Sequence, residues 1–237
     1  MKISESINAQ LSRLIVGRQL AQEPSEWLYN SFDALAERAN IAQKDRLKLW
    51  LDLAMQHNQP HRHYHHLSHL YNILRLIEAN ESEINAPDSL RWATWFHDYI
   101  YDIGNANNEV DSAQIAYNQL SNYLSIDDLL QVQELILATV MHQIPAISEE
   151  FSLLQYKDCA LFLDFDLAIL AAPASTYSEY KEAVEKEYTS LYAPSDYRIG
   201  RAAFMSKFLQ RKQLYFSPLF TPAETIARKN ISDEIGL

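Results

Sequence analysis

Glycine occurs only four times in 237 residues, at Gly17, Gly104, Gly200 and Gly236. Tight hairpins and glycine-built phosphate loops need residues that tolerate positive φ or close backbone approach, so four glycines cannot supply a hairpin-rich β architecture. Helix is the default that remains. Apolar residues recur at helical spacing throughout, broken only at short stops around Pro60, Pro87, Pro145, Pro194 and Pro218.

The pattern predicts helices over 6–22, 26–40, 45–57, 65–80, 87–101, 109–123, 126–143, 149–171, 177–192, 196–215 and 222–230. Ser125 before Ile126-Asp127-Asp128 supplies an N-cap oxygen and an acidic first turn, and Thr221-Pro222-Ala223-Glu224 combines a cap, an N1 proline and a reaching Glu. In the seventh helix Val132, Leu135, Ile136 and Thr139 form a stripe that His142 continues, which predicts an inward histidine. With 48% hydrophobic residues the chain can bury one substantial core. The expected fold class is all-α, a single-domain multi-helix bundle over 1–237, with its motifs in about 61–170 and C-terminal helices over about 175–230 packed on them.

The formal net charge of −11 opposes a polyanionic partner, so nucleic acid is not expected. The single cysteine, Cys159, excludes an intrachain disulfide or thiolate cluster and fits a reducing compartment. No segment approaches the ~20 apolar residues of a membrane span, and the N-terminus lacks the features of a signal peptide. A cytoplasmic protein that binds no membrane is expected.

Three segments mix metal-type side chains with apolar ones: PHRHYHHLSHL over Pro60–Leu70, ATWFHDYIYD over Ala93–Asp102 and FLDFDLAIL over Phe162–Leu170. Five of the 8 histidines fall between His61 and His69, and His65 and His69 are one helical turn apart. His97-Asp98 follows Trp92, Ala93, Trp95 and Phe96, an apolar run in which a carboxylate needs a cation or several hydrogen bonds. Asp164 and Asp166 alternate with large apolar residues for the same reason, and two residues apart on a helix they face differently.

The order His69, His97-Asp98, Asp166 resembles the HD superfamily of metal-dependent phosphohydrolases, and HRHYHHLSHL, WFHDYIYD, NEVDSA and LDFDLAIL resemble a bacterial branch of predicted hydrolases within it. The resemblance implies a helical bundle in which His69, His97, Asp98 and Asp166 hold one divalent ion, with Asp164 behind them. Asn72 stands where many of these proteins carry an Arg three residues after the first His, a departure that bears on phosphate contacts.

A mixed imidazole and carboxylate set suits Mn²⁺, Mg²⁺, Zn²⁺, Fe²⁺ or Ni²⁺ and leaves positions open for water. Such an ion acidifies water and screens phosphate oxygens, which points to hydrolysis of a phosphoester or phosphoanhydride of a small metabolite, by preference a nucleotide. Candidates for the proton donor are His65, Glu109 and His142, beside the ligand Asp98. Candidates for phosphate contact are Arg62, Arg198, Arg201 and Arg211, of which Arg62 and Arg201 are preferred. A di-iron oxygenase of the same type, with His65 and His142 as added ligands, and a non-catalytic ligand-binding module are the alternatives. A homo-oligomer is compatible with the sequence. HHLSH lacks the glutamate base of an HExxH protease.

Overall fold

The helical periodicity is realised as eleven α-helices in a computed structural model that describes residues 5–17, 19–145 and 153–237, with 153 and 154 by backbone alone. They are α1 (Ile7–Leu11), α2 (Gln22–Arg38), α3 (Gln43–His57), α4 (Leu67–Ala79), α5 (Pro87–Phe96), α6 (Asn108–Leu120), α7 (Ile126–Ala138), α8 (Leu153–Asp166), α9 (Ala174–Tyr188), α10 (Pro194–Leu209) and α11 (Glu224–Ile235). The described residues contain no strand, and the all-α expectation holds.

Helix α5 lies at the centre, packed against α4, α6 and α7. Ser89, Leu90, Trp92, Ala93, Thr94, Trp95 and Phe96 are all buried, so it presents no solvent face from Trp92 to its end. Its start is fixed by Pro87 at N1 and by the buried Asp158 carboxylate, which accepts from the N–H groups of Asn85 (2.8 Å) and Ala86 (2.7 Å). Around its indoles Phe32, Trp50, Trp92 and Trp95 pack with ring centroids 5.4–6.2 Å apart. One cluster of buried apolar residues runs from Ile7 to Ile231.

Several predicted helices end early: the first, fifth, sixth, seventh, ninth and tenth all stop at least three residues before the predicted end, and three of these stops bear on the site. The helix predicted to reach residue 22 stops at Leu11, and Gly17, at φ +138, lies outside helical space. The extended chain beyond it pairs instead with Asn72, whose amide donates to the Ile15 carbonyl (2.8 Å) and accepts from its N–H (3.1 Å). Helix α5 stops at Phe96 rather than Tyr101, and the histidine-rich segment takes the carbonyls that its end exposes. His57 donates to Trp95 O (3.1 Å), Arg62 to Asp98 O (2.6 Å) and Tyr99 O (2.9 Å), and His61 to Tyr101 O (2.8 Å). Helix α7 stops at Ala138, which puts His142 in a turn at φ +45 rather than on the helical stripe.

The predicted start of the eighth helix at residue 149 lies outside the described residues. Its end tightens into a 3₁₀ turn, Leu167–Ala171, directly after Asp166. Among the described residues no single helix is long and apolar enough to cross a membrane.

Candidate metal centre

Four elements converge on one point. His69 comes from the first turn of α4, whose N-cap is His66, with its ring accepting from Ser68 N–H (3.1 Å). His97 and Asp98 follow the last residue of α5, Asp166 ends α8, and His142 stands in the turn after α7. His69 Nε2 and His97 Nε2 are 3.2 Å apart. Asp98 Oδ2 lies 3.1 Å from His97 Nε2 and 3.8 Å from His69 Nε2, and Asp166 Oδ1 lies 3.1 Å from His69 Nε2 and 3.7 Å from His97 Nε2. The second Asp166 oxygen, Oδ2, is 3.0 Å from His142 Nε2.

The spacings among His69, His97 and Asp98 are compatible with a divalent ion. Donors held about 2.1 Å from one cation sit roughly 3.0 Å apart when octahedral neighbours and roughly 3.4 Å apart when tetrahedral, which brackets most of the observed distances. Donor atoms of His69, His97 and Asp98 all lie within 4.8 Å of one another. His97 Nδ1 donates to the Thr94 carbonyl at 2.9 Å, which orients the ring with Nε2 toward the centre. Electrostatics point the same way. Burial alone would raise the Asp98 and Asp166 carboxyls, yet the facing imidazoles hold both well below the usual carboxylate range. Burial would lower His97, but Asp98 and Asp166 push it up to about 9. Two carboxylates therefore demand positive charge at a point where the chain itself supplies little more than a proton.

The centre has a neighbour that sequence reasoning missed. Glu187, on α9, is fully buried and accepts from the main-chain N–H groups of His63 (2.7 Å), Tyr64 (2.7 Å) and His65 (3.0 Å) through Oε1. Its Oε2 accepts from His65 Nδ1 and from the Tyr101 hydroxyl, both at 2.8 Å. The His65 ring stacks on Tyr101 at 4.3 Å and stands 5.8 Å from the His69 ring. Burial would lower His65, but the Glu187 charge and hydrogen bond raise it above its ordinary value. The available signal was a glutamate on the apolar stripe of α9, one turn beyond Ala183 and Val184 and two beyond Tyr180.

Other expected residues take different positions. Asp164 does not stand behind the ligands: it faces away and clamps the N–H groups of Phe216 and Ser217 at 2.7 Å each. Glu109 is half-buried in the first turn of α6, at the positive end of the helix, and makes no hydrogen bond or ion pair with the centre. The expectation that Arg62 contacts a substrate is corrected, because its side chain is completely buried and its Nη donors go to the protein. Arg201 pairs with Glu234 (2.9 Å) and donates to the Tyr180 hydroxyl (3.0 Å). Arg198 is exposed, while Arg211 donates to the carbonyls of Met141 (2.9 Å) and His142 (3.0 Å) at the rim of the centre.

The chain shares the fold of solved phosphodiesterase domains. Two are from the choanoflagellate Salpingoeca rosetta. One is the phosphodiesterase domain of its rhodopsin phosphodiesterase, 12% identical over 94% of this chain and 89% of that one, with a TM-score of 0.59. The other is the phosphodiesterase domain of a RhoPDE fusion protein, 12% identical over 98% of this chain and 94% of that one, with a TM-score of 0.61. No protein-family model and no curated protein matches the sequence. At 12% identity the likeness is one of fold.

Proposed function

We propose that the chain is a metal-dependent phosphohydrolase that cleaves a phosphoester or phosphoanhydride of a small metabolite, by preference a nucleotide. The observation that carries this reading is the meeting of His69, His97, Asp98 and Asp166, drawn from three distant stretches of sequence, with every imidazole–carboxylate pair between 3.1 and 3.8 Å. The phosphodiesterase domains of like fold and the sequence resemblance to HD phosphohydrolases support it. When bound, a divalent ion acidifies water and screens the phosphate oxygens.

The chain's own residues divide the remaining work. His69, His97, Asp98 and Asp166 would hold the ion, and Thr94 O and His142 fix the orientation of two of them. His65 is the proton donor: its Nδ1–H is committed to Glu187, which stabilises the imidazolium and leaves Nε2–H to protonate the departing oxygen. Water restores the proton after each turnover.

The test is phosphate release from a panel of nucleotides and phosphate esters with Mn²⁺, Mg²⁺, Zn²⁺, Fe²⁺ or Ni²⁺, beside Asp98→Ala. Metal-dependent release that Asp98→Ala abolishes is expected. Release that survives Asp98→Ala, or a panel left intact with every metal, overturns the reading.

A further inference from the structure

Arg62 is among the largest side chains that are completely buried, and nothing in the chemistry above uses its charge. Its Nη1 donates to the carbonyls of His65 (3.2 Å) and Asp98 (2.6 Å) and lies 3.3 Å from His57 Nδ1, while its Nη2 donates to the Tyr99 carbonyl (2.9 Å). The guanidinium carbon sits 5.3 Å from the centre of the Tyr101 ring, the same ring on which His65 stacks. One planar cation therefore joins the backbone of the proton donor to the backbone of a metal ligand, 33 residues later in the chain. His57, which would share that space as a second cation, is pushed down to about 3 by burial and by Arg62, and so stays neutral.

We propose that Arg62 is a positioning residue for the metal centre: it sets the spacing between His65 and Asp98 by gripping the main chain of both, and touches neither ion nor substrate. This rests on the reading of the centre as a metal site. A fork of donors in fixed directions is what the geometry uses, since two nitrogens serve three carbonyls from two segments at once. A lysine keeps the charge but presents one nitrogen, so it cannot span His65 O, Asp98 O and Tyr99 O together.

The experiment compares wild type with Arg62→Lys by calorimetric titration with Mn²⁺, by thermal melting of the metal-free form and by steady-state kinetics. Arg62→Lys is expected to weaken Mn²⁺ binding about 10- to 100-fold, the range for residues that orient ligands. It should lower kcat with little change in KM. Mn²⁺ affinity within twofold of wild type and an unchanged kcat overturn the proposal. So does a loss of Mn²⁺ affinity no larger than the loss of metal-free stability accounts for. Should Arg62→Lys fail to fold, nitrogen-15 spectra of arginine-labelled wild type decide. A guanidinium held on three carbonyls gives separate, solvent-protected Nη–H signals that contact the Tyr101 ring, and averaged, exchanging signals overturn the proposal. Wild type that binds no Mn²⁺ refutes the metal reading instead, and the spectra then test the grip of Arg62 alone.

Discussion

Glu187 Oε2 accepts a 2.8 Å hydrogen bond from His65 Nδ1 across 122 residues of sequence, with the carboxylate completely buried. Burial raises a carboxyl, but the His65 charge and the main-chain donors of Tyr64 and His65 bring Glu187 down to about 2 from 4.5. A depressed carboxyl stabilises the fold above its unfolded pKa and loses that contribution as pH falls through the folded one, here between 4.5 and about 2. His65, raised by the same contact, contributes fully below 6.5 and loses it as pH rises through its folded value. Glu187→Gln should therefore cost about 3 kcal/mol at pH 5 to 6, with the deficit shrinking as pH is taken toward 2. Urea unfolding of both proteins across this range checks it, and a deficit independent of pH contradicts it.

Removal of the ion should lower stability, because a ligand that binds only the folded chain adds RT ln(1 + [L]/Kd), about 2.7 kcal/mol at 100 times Kd. For a chain of this size that corresponds to roughly 5–10 °C in Tm. EDTA should produce the drop in wild type, Mn²⁺ should reverse it, and Asp98→Ala should show neither. An identical melting curve with and without EDTA would argue against the four-ligand site.

The two aspartates of FLDFDLAIL should separate cleanly. Asp164 holds two main-chain N–H groups and Asp166 faces the histidines, although they are two residues apart. Asp164→Asn should destabilise the metal-free chain by about 1–3 kcal/mol by leaving one of those N–H groups poorly matched, with metal affinity nearly unchanged. Asp166→Asn should do the reverse. Melting and Mn²⁺ titration of both variants give the comparison, and parallel losses in the two would refute the division.

The four candidate ligands came from the resemblance to HD phosphohydrolases and not from helix ends, which periodicity missed by five residues at α5 and eleven at α1. Helical spacing paired His65 with His69 and said that Asp164 and Asp166 face differently, the apolar run marked His97-Asp98, and only the resemblance chose Asp166 over Asp164. Tertiary partners of the chain beyond the helices were not legible: Asn72 captures Ile15 past the end of α1, and His57, His61 and Arg62 take carbonyls at and past the end of α5. The same side chains that make the histidine-rich segment look like a ligand cluster thus serve as caps, with His65 and His69 left for chemistry. Arg62 resembles a phosphate contact in sequence because burial is invisible there. Glu187 was hidden for the opposite reason, since an isolated glutamate on a polar-looking helix is the ordinary state of a surface.

His142 allows backbone strain and ligand support to be told apart. It adopts φ +45, where a β-carbon costs about 1 kcal/mol, and it is held there by Arg211 on its carbonyl (3.0 Å) and by Asp166 on its ring (3.0 Å). His142→Gly removes the ring and the strain together, so the metal-free protein should melt at or above the wild-type temperature. Without the ring Asp166 loses the partner of its Oδ2, so Mn²⁺ affinity should fall about 10-fold. His142→Ala keeps the strain and loses the ring, so it should lose affinity equally and melt lower than His142→Gly. If His142→Gly binds Mn²⁺ as tightly as wild type, the hydrogen bond to Asp166 does not orient the ligand.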